Sequence, residues 1–325
     1  MNKSIKLIFN YLLAPVLFII LSWSLYYQII NQPDLPDRWQ HVKTSWHQGA
    51  FWFVCFLMTV NWGLEAKKWQ LLISPLEKFS FIKSFKSVLA GCSITMLTPN
   101  RIGEYGGRII YVEEKNRLSA ISVTILGSIS QMTITMLMGS LGLIFLRIMP
   151  KNHQQVSTMP WLTGNILLYV SITFTVILLI FYFRIRWVLL VIGKAGLIKS
   201  FIRHLRFIEF FTNKQLLRIL VLSYTRYIVF ILQYVLLLNV MGVNVSMILC
   251  FWLLTIFYLV MAVAPTIGFI ELPVRAAVSV ELFRMYSINI IGIQAAALGI
   301  WIINLVIPAI IGSILIFGIK ILKDR

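Results

Sequence analysis

Apolar residues gather into long runs separated by short charged stretches. Six runs are long enough to cross about 30 Å of hydrocarbon as helices: 7–30, 46–64, 119–147, 164–183, 218–241 and 288–319. Two further apolar stretches, 84–98 and 247–264, each lead into a charged segment. The first is too short to cross, carries Ser, Thr and Gly, and ends in Thr98-Pro99-Asn100. It reads as a re-entrant element, whose irregular tip is tolerated only inside protein or beside a wet cavity.

The charged segments repeat one another. The first runs Pro99, Glu104, Arg108, Glu114, Arg117, and the second Pro265, Glu271, Arg275, Glu281, Arg284. From the first Glu onward the spacing is identical, while the step from Pro to Glu is five residues in one and six in the other. Glu113 offers a second register for the first copy. Read as an internal duplication, the pattern gives an all-α polytopic membrane protein. Six transmembrane helices and two re-entrant helical hairpins form an inverted-topology repeat, with the functional centre where the broken elements meet. The halves fall at about 1–150 and 160–325 within one membrane domain, 1–325.

Charge distribution orients the chain. With the N-terminus cytoplasmic and 84–98 re-entrant, 22 Lys and Arg face inward: two at the N-terminus, five in 65–86, four in 101–117, eight in 184–218 and three at the C-terminus. Outside lie six, Arg38, Lys43, Arg147, Lys151, Arg275 and Arg284, as the positive-inside rule requires. Making 84–98 a crossing would put the eight-charge loop outside. For 247–264 the count changes only to 21 against 7, so the repeat alone argues for re-entrance there. Both termini are then cytoplasmic.

Composition agrees with this picture. The chain is 59% hydrophobic with mean hydropathy +0.86, which excludes an ordinary soluble domain. Its net charge of +18 is therefore read through anionic lipid rather than nucleic acid. Cys55, Cys92 and Cys250 lie in apolar segments and imply no disulfide framework. The run 7–30 is too long for a signal peptide and has no small-residue cleavage site after it. Lys199, Arg203 and Arg206, with Leu197, Phe201, Ile202 and Leu205 around them, make 187–211 an amphipathic interfacial helix.

Ionisable groups at membrane depth are costly, about 2.5–3.5 kcal/mol each on insertion scales, and mark pathways or binding sites. Glu104/Arg108 and Glu271/Arg275 are i, i+4 pairs. Their arginines suit a phosphate, with the glutamates orienting them; alternatively each pair only neutralises itself and pins a hairpin tip. Arg226 stands alone in its span and needs Glu104, Glu271 or a ligand anion as partner. Gly103, Gly106, Gly107 and Gly268 suit a hairpin tip with positive φ and close backbone approach. Ala295 and Gly299 are a small-xxx-small pair for helix packing. There is no phosphate-binding Gly-rich loop, no metal-ligand spacing among His41, His47, His153 and His204, and no nucleophile–base motif. Neither a cofactor nor a metal is expected.

The phrase Leu97-Thr-Pro-Asn-Arg-Ile-Gly-Glu-Tyr-Gly-Gly-Arg108, with Ala264-Pro-Thr-Ile-Gly-Phe-Ile-Glu271 later, resembles the membrane region of lysylphosphatidylglycerol synthases, the flippase-like domain. Pro99, Arg101, Gly103, Glu104 and Arg108 fit the family's first motif; Pro265, Gly268 and Glu271 fit the second, which is looser at Phe269-Ile270. The resemblance implies a multi-pass protein of a bacterial or archaeal plasma membrane that moves or handles a lipid between leaflets. The lipid would be an anionic phospholipid or a lipid-linked substrate. Arg101, Glu104, Arg108, Arg226, Glu271 and Arg275 are the expected substrate-binding set, with no catalytic residues. The synthases' aminoacyl-transferase domain does not follow in this sequence, so synthase activity is not expected. Two other readings stay open: a membrane transferase with Glu104 and Glu271 as acid and base, or a non-catalytic partner of a separate transferase.

Overall fold

The computed structural model describes residues 23, 26–31, 34–96, 98, 102–148, 165–184, 211–263 and 271–323, and every regular element among them is helical. Eleven α-helices matter here: α1 (Leu35–Thr44), α2 (Gly49–Ile73), α3 (Phe81–Met96), α4 (Gly103–Ile109), α5 (Arg117–Ile148), α6 (Asn165–Phe183), α7 (Asn213–Val240), α8 (Met247–Val263), α9 (Glu271–Phe283), α10 (Ile290–Trp301) and α11 (Ile307–Lys323). A π-helical turn, Ile302–Val306, joins α10 to α11. Five stretches are long and apolar enough to cross a membrane: 49–73, 114–148, 165–183, 213–240 and 290–317. Most of the expected first span, 7–30, and nearly all of the expected amphipathic helix, 187–211, lie outside the described residues.

One boundary needs correction. The run expected to end at residue 64 continues as α2 to Ile73, because Ala66, Trp69, Leu72 and Ile73 extend its buried face beyond Glu65. Lys68, assigned above to a cytoplasmic loop, is therefore a buried helical residue.

The element 84–98 is the helix α3, about 24 Å long at 1.5 Å per residue and so shorter than the hydrocarbon layer. It turns back through α4. Ser87 Oγ donates to the Arg108 carbonyl at 2.9 Å, and Gly103 N–H donates to Thr98 Oγ1 at 2.7 Å. A methyl group on Gly107 would overlap the Ala90 carbonyl, and one on Gly103 would overlap the Ile94 carbonyl. Residues 87, 90 and 94 thus meet 108, 107 and 103 in reverse order, which makes an antiparallel hairpin. The glycines are required by backbone approach and not by φ: among described glycines only Gly242 has φ in the left-handed region. Gly106 faces open space.

The second charged segment has the counterpart α8–α9, followed by α10 and α11. Packing between the two sets is reciprocal. Helix α2 lies along α7, α5 lies on α8, and α11 lies on α3. Small residues allow the last two approaches: a side chain on Gly142 would strike Thr255, and one on Gly312 would strike the Leu89 backbone. Gly299 sits against Leu237, which gives the Ala295/Gly299 pair its packing role.

Polar bonds tie the helices where apolar contact alone offers little preference over lipid. Ser130 and Ser223 hydroxyls are 2.9 Å apart, Tyr234 and Ser279 2.7 Å, and Ser93 and Ser313 2.6 Å. The Thr212/Gln215 capping box starts α7, and Asn289 caps α10 through Gly292 N–H.

Gly107→Ala is expected to destabilise the protein by about 1–3 kcal/mol through overpacking, whereas Gly106→Ala is near neutral. Thermal unfolding of the two variants in detergent checks the contrast.

Candidate functional site

Helix α2 places Asn61, Glu65 and Lys68 on one face, i, i+4, i+7, against α7 and the α3–α4 hairpin. Glu65 is the hub. Its Oε2 lies 2.8 Å from Lys68 Nζ and 3.3 Å from Arg226 Nη1, and its Oε1 lies 2.7 Å from Arg108 Nη2. The same Arg108 nitrogen also holds Glu104. Exposure separates these groups: side chains of Glu65, Lys68 and Arg108 are 5%, 3% and 2% exposed, against 29% for Glu104 and 20% for Arg226.

Arg226 is held in a defined pose. Its Nε donates to Asn61 Oδ1 at 2.9 Å, and Nη1 reaches Gln131 Oε1 at 3.4 Å as well as Glu65. Nη2 carries no hydrogen bond among the described residues. The guanidinium lies 5.7 Å from the Trp62 ring, and that of Arg108 lies 5.2 Å from Trp69, within cation–π range.

Helix α9 carries the second pair. Nε and Nη2 of Arg275 both donate to Glu271 Oε1, at 2.8 and 2.6 Å, and the guanidinium lies 5.9 Å from the Phe257 ring. Both residues are buried.

A cavity of about 490 Å³ joins the two constellations. Glu65, Lys68, Glu104, Arg108, Arg226, Glu271 and Arg275 all line it, together with Trp62, Tyr227, Tyr258 and Trp301. Among the described lining residues, four cations and three carboxylates leave one positive charge in excess. Five of the six residues singled out from sequence therefore share one cavity. Arg101, the sixth, lies outside the described residues, as do Pro99, Pro265 and Gly268.

The partner of Arg226 corrects the expectation: it is Glu65, not Glu104 or Glu271. Glu65 and Lys68 were missed because a charge pair at the end of an apolar run resembles an interface. The signal that could have found them is the helical recurrence of Trp62, Ala66, Trp69 and Ile73 on either side of the pair. Glu114–Arg117 and Glu281–Arg284 are exposed pairs, at 3.4 and 2.7 Å, apart from the cavity.

A family model described as the lysylphosphatidylglycerol synthase TM region matches residues 10–312, which enclose both hairpins and every charge of the cavity. The chain belongs to this family. With its five apolar helices, this lysylphosphatidylglycerol synthase membrane region is a multi-pass membrane protein of a lipid-related family. No curated protein and no solved structure matches it.

Removing the hub should be costly. Glu65→Gln strands buried cations and is expected to lose about 3–5 kcal/mol, while Glu65→Gln with Lys68→Met recovers part of it. A double-mutant cycle on thermal unfolding measures the coupling.

Proposed function

We propose that the cavity receives the anionic headgroup of a membrane lipid and carries it between leaflets, so that the protein works as a flippase-like transporter. The observation that carries this reading is the convergence of Glu104/Arg108 and Glu271/Arg275, from separate hairpins, with Arg226 on one cavity bearing excess positive charge. A phosphodiester has the matching charge and accepts hydrogen bonds only.

The roles differ among the arginines. Arg108 and Arg275 are each paired with buried carboxylates and shape the field. Arg226 is the docking residue, because it is the most exposed of the four cations and its Nη2 stays available. Asn61, Gln131 and Glu65 hold its guanidinium plane, which preorganises the site. Arg101 belongs to the same binding set on its motif position in the sequence.

The reciprocal packing of α5 on α8 and α11 on α3 supports an inverted repeat, with both hairpins re-entrant and both termini cytoplasmic. In a bacterial or archaeal plasma membrane, rocking of one half against the other would expose the cavity alternately to each leaflet.

Arg226→Gln is expected to lower lipid translocation at least tenfold in reconstituted vesicles with unfolding temperature little changed, and Arg226→Lys to restore little, since a point charge does not reproduce a held guanidinium. Leaflet-resolved labelling of a fluorescent phospholipid reads the effect. Equal loss of stability would mark Arg226 as structural only.

For the topology, single cysteines replacing the exposed Lys115 and Arg284 in a cysteine-free background should be labelled from opposite sides of the membrane, Lys115 from the cytoplasm. Labelling from one side would end the inverted-repeat reading.

A further inference from the structure

The two carboxylates on Arg108 are held unequally. Glu65 is buried and grips Lys68 and Arg226 through Oε2 while Oε1 takes Arg108 at 2.7 Å. It cannot leave without stranding three cations. Glu104 meets Arg108 through one oxygen, and its other oxygen carries no hydrogen bond among the described residues. Both carboxylates converge on the same nitrogen, Nη2, while the buried Nε of Arg108 has no partner. A guanidinium offers five N–H donors and binds a carboxylate most firmly through two nitrogens. Glu104 has a share of one.

Access separates the pair further. Both residues line the cavity, yet the Arg108 side chain is 2% exposed and that of Glu104 29%. Gly91 of α3 backs both stems: a Cβ there would sit 3.1 Å from Arg108 Cγ and 3.6 Å from Glu104 Cγ. The second pair lacks this openness, since Glu271 and Arg275 are 10% and 9% exposed and joined through two nitrogens. Arg226 shares the Glu65 carboxylate with Arg108, so the two guanidiniums are one carboxylate apart.

Building on the reading of the cavity as an anionic-headgroup site, we propose that Glu104 is a tethered competitor of the headgroup. It occupies Arg108 while the cavity is empty, and the phosphate displaces it and bridges Arg108 and Arg226. When the phosphate leaves, Glu104 closes on Arg108 again, and the emptied cavity carries no bare guanidinium there. A competitor of this kind lowers apparent affinity by the fraction of time it leaves the site free.

The test is native mass spectrometry of the full chain in detergent with equal amounts of dioleoyl phosphatidylglycerol and dioleoylglycerol. These lipids share their chains, and only the first carries an anionic phosphate. Glu104→Gln should raise the bound ratio of the first to the second by about three- to tenfold over wild type. Loss of a negative charge favours an anion in any cavity, so Glu104→Asp decides the matter. It keeps the charge but is one methylene too short to hold Arg108, and it should raise the ratio as well. Because the ratio is read in one sample, a reduced folded fraction cannot mimic either result. An increase in Glu104→Gln with Glu104→Asp at the wild-type ratio, or no increase in either, overturns the proposal. If neither wild type nor the variants prefer the phosphate lipid, the headgroup reading itself fails and this inference falls with it.

Discussion

A single buried carboxylate, Glu65, sets the arrangement of the first half of the molecule and ties it to the second. Three cations from three different elements converge on it: Lys68 from its own helix, Arg108 from the hairpin and Arg226 from α7. None of these charges is tolerable alone in a low-dielectric interior, so each position is required by the others. The cost of desolvating them is offset only while the set is complete. That constraint forces α2, α4 and α7 together at one depth, and the cavity forms where they meet.

This explains what could and could not be read from the sequence. The pairs Glu104/Arg108 and Glu271/Arg275 were legible because they recur with identical spacing in a chain that has few acidic residues. Arg226 was legible as a cation in need of a partner, since no carboxylate lies within a turn of it. Its partner was not, because contact across helices leaves no local pattern. Glu65 and Lys68 satisfy one another at i, i+3, and a self-neutralising pair beside an apolar run looks like a helix end.

The two charged segments are unequal in detail. The first is built on backbone contact, with Gly103 and Gly107 facing the carbonyls of α3, and its arginine is shared between two carboxylates. In the second segment the charged helix α9 is longer, and Nε and Nη2 of Arg275 both bind Glu271. The spare positive charge therefore sits on the side of the first hairpin.

The packing of α11 against α3 has a consequence for how the chain is made. The first hairpin is complete only when Gly312 reaches the Leu89 backbone, yet α11 leaves the ribosome after every other described helix. At about 5–20 residues per second, α3 and its serines wait on the order of ten to forty seconds for their final neighbour. During that interval Ser93 has no Ser313 to bond. Biogenesis of this protein is thus a problem of delayed closure, and truncation of its C-terminus would damage the site nearest its N-terminal half.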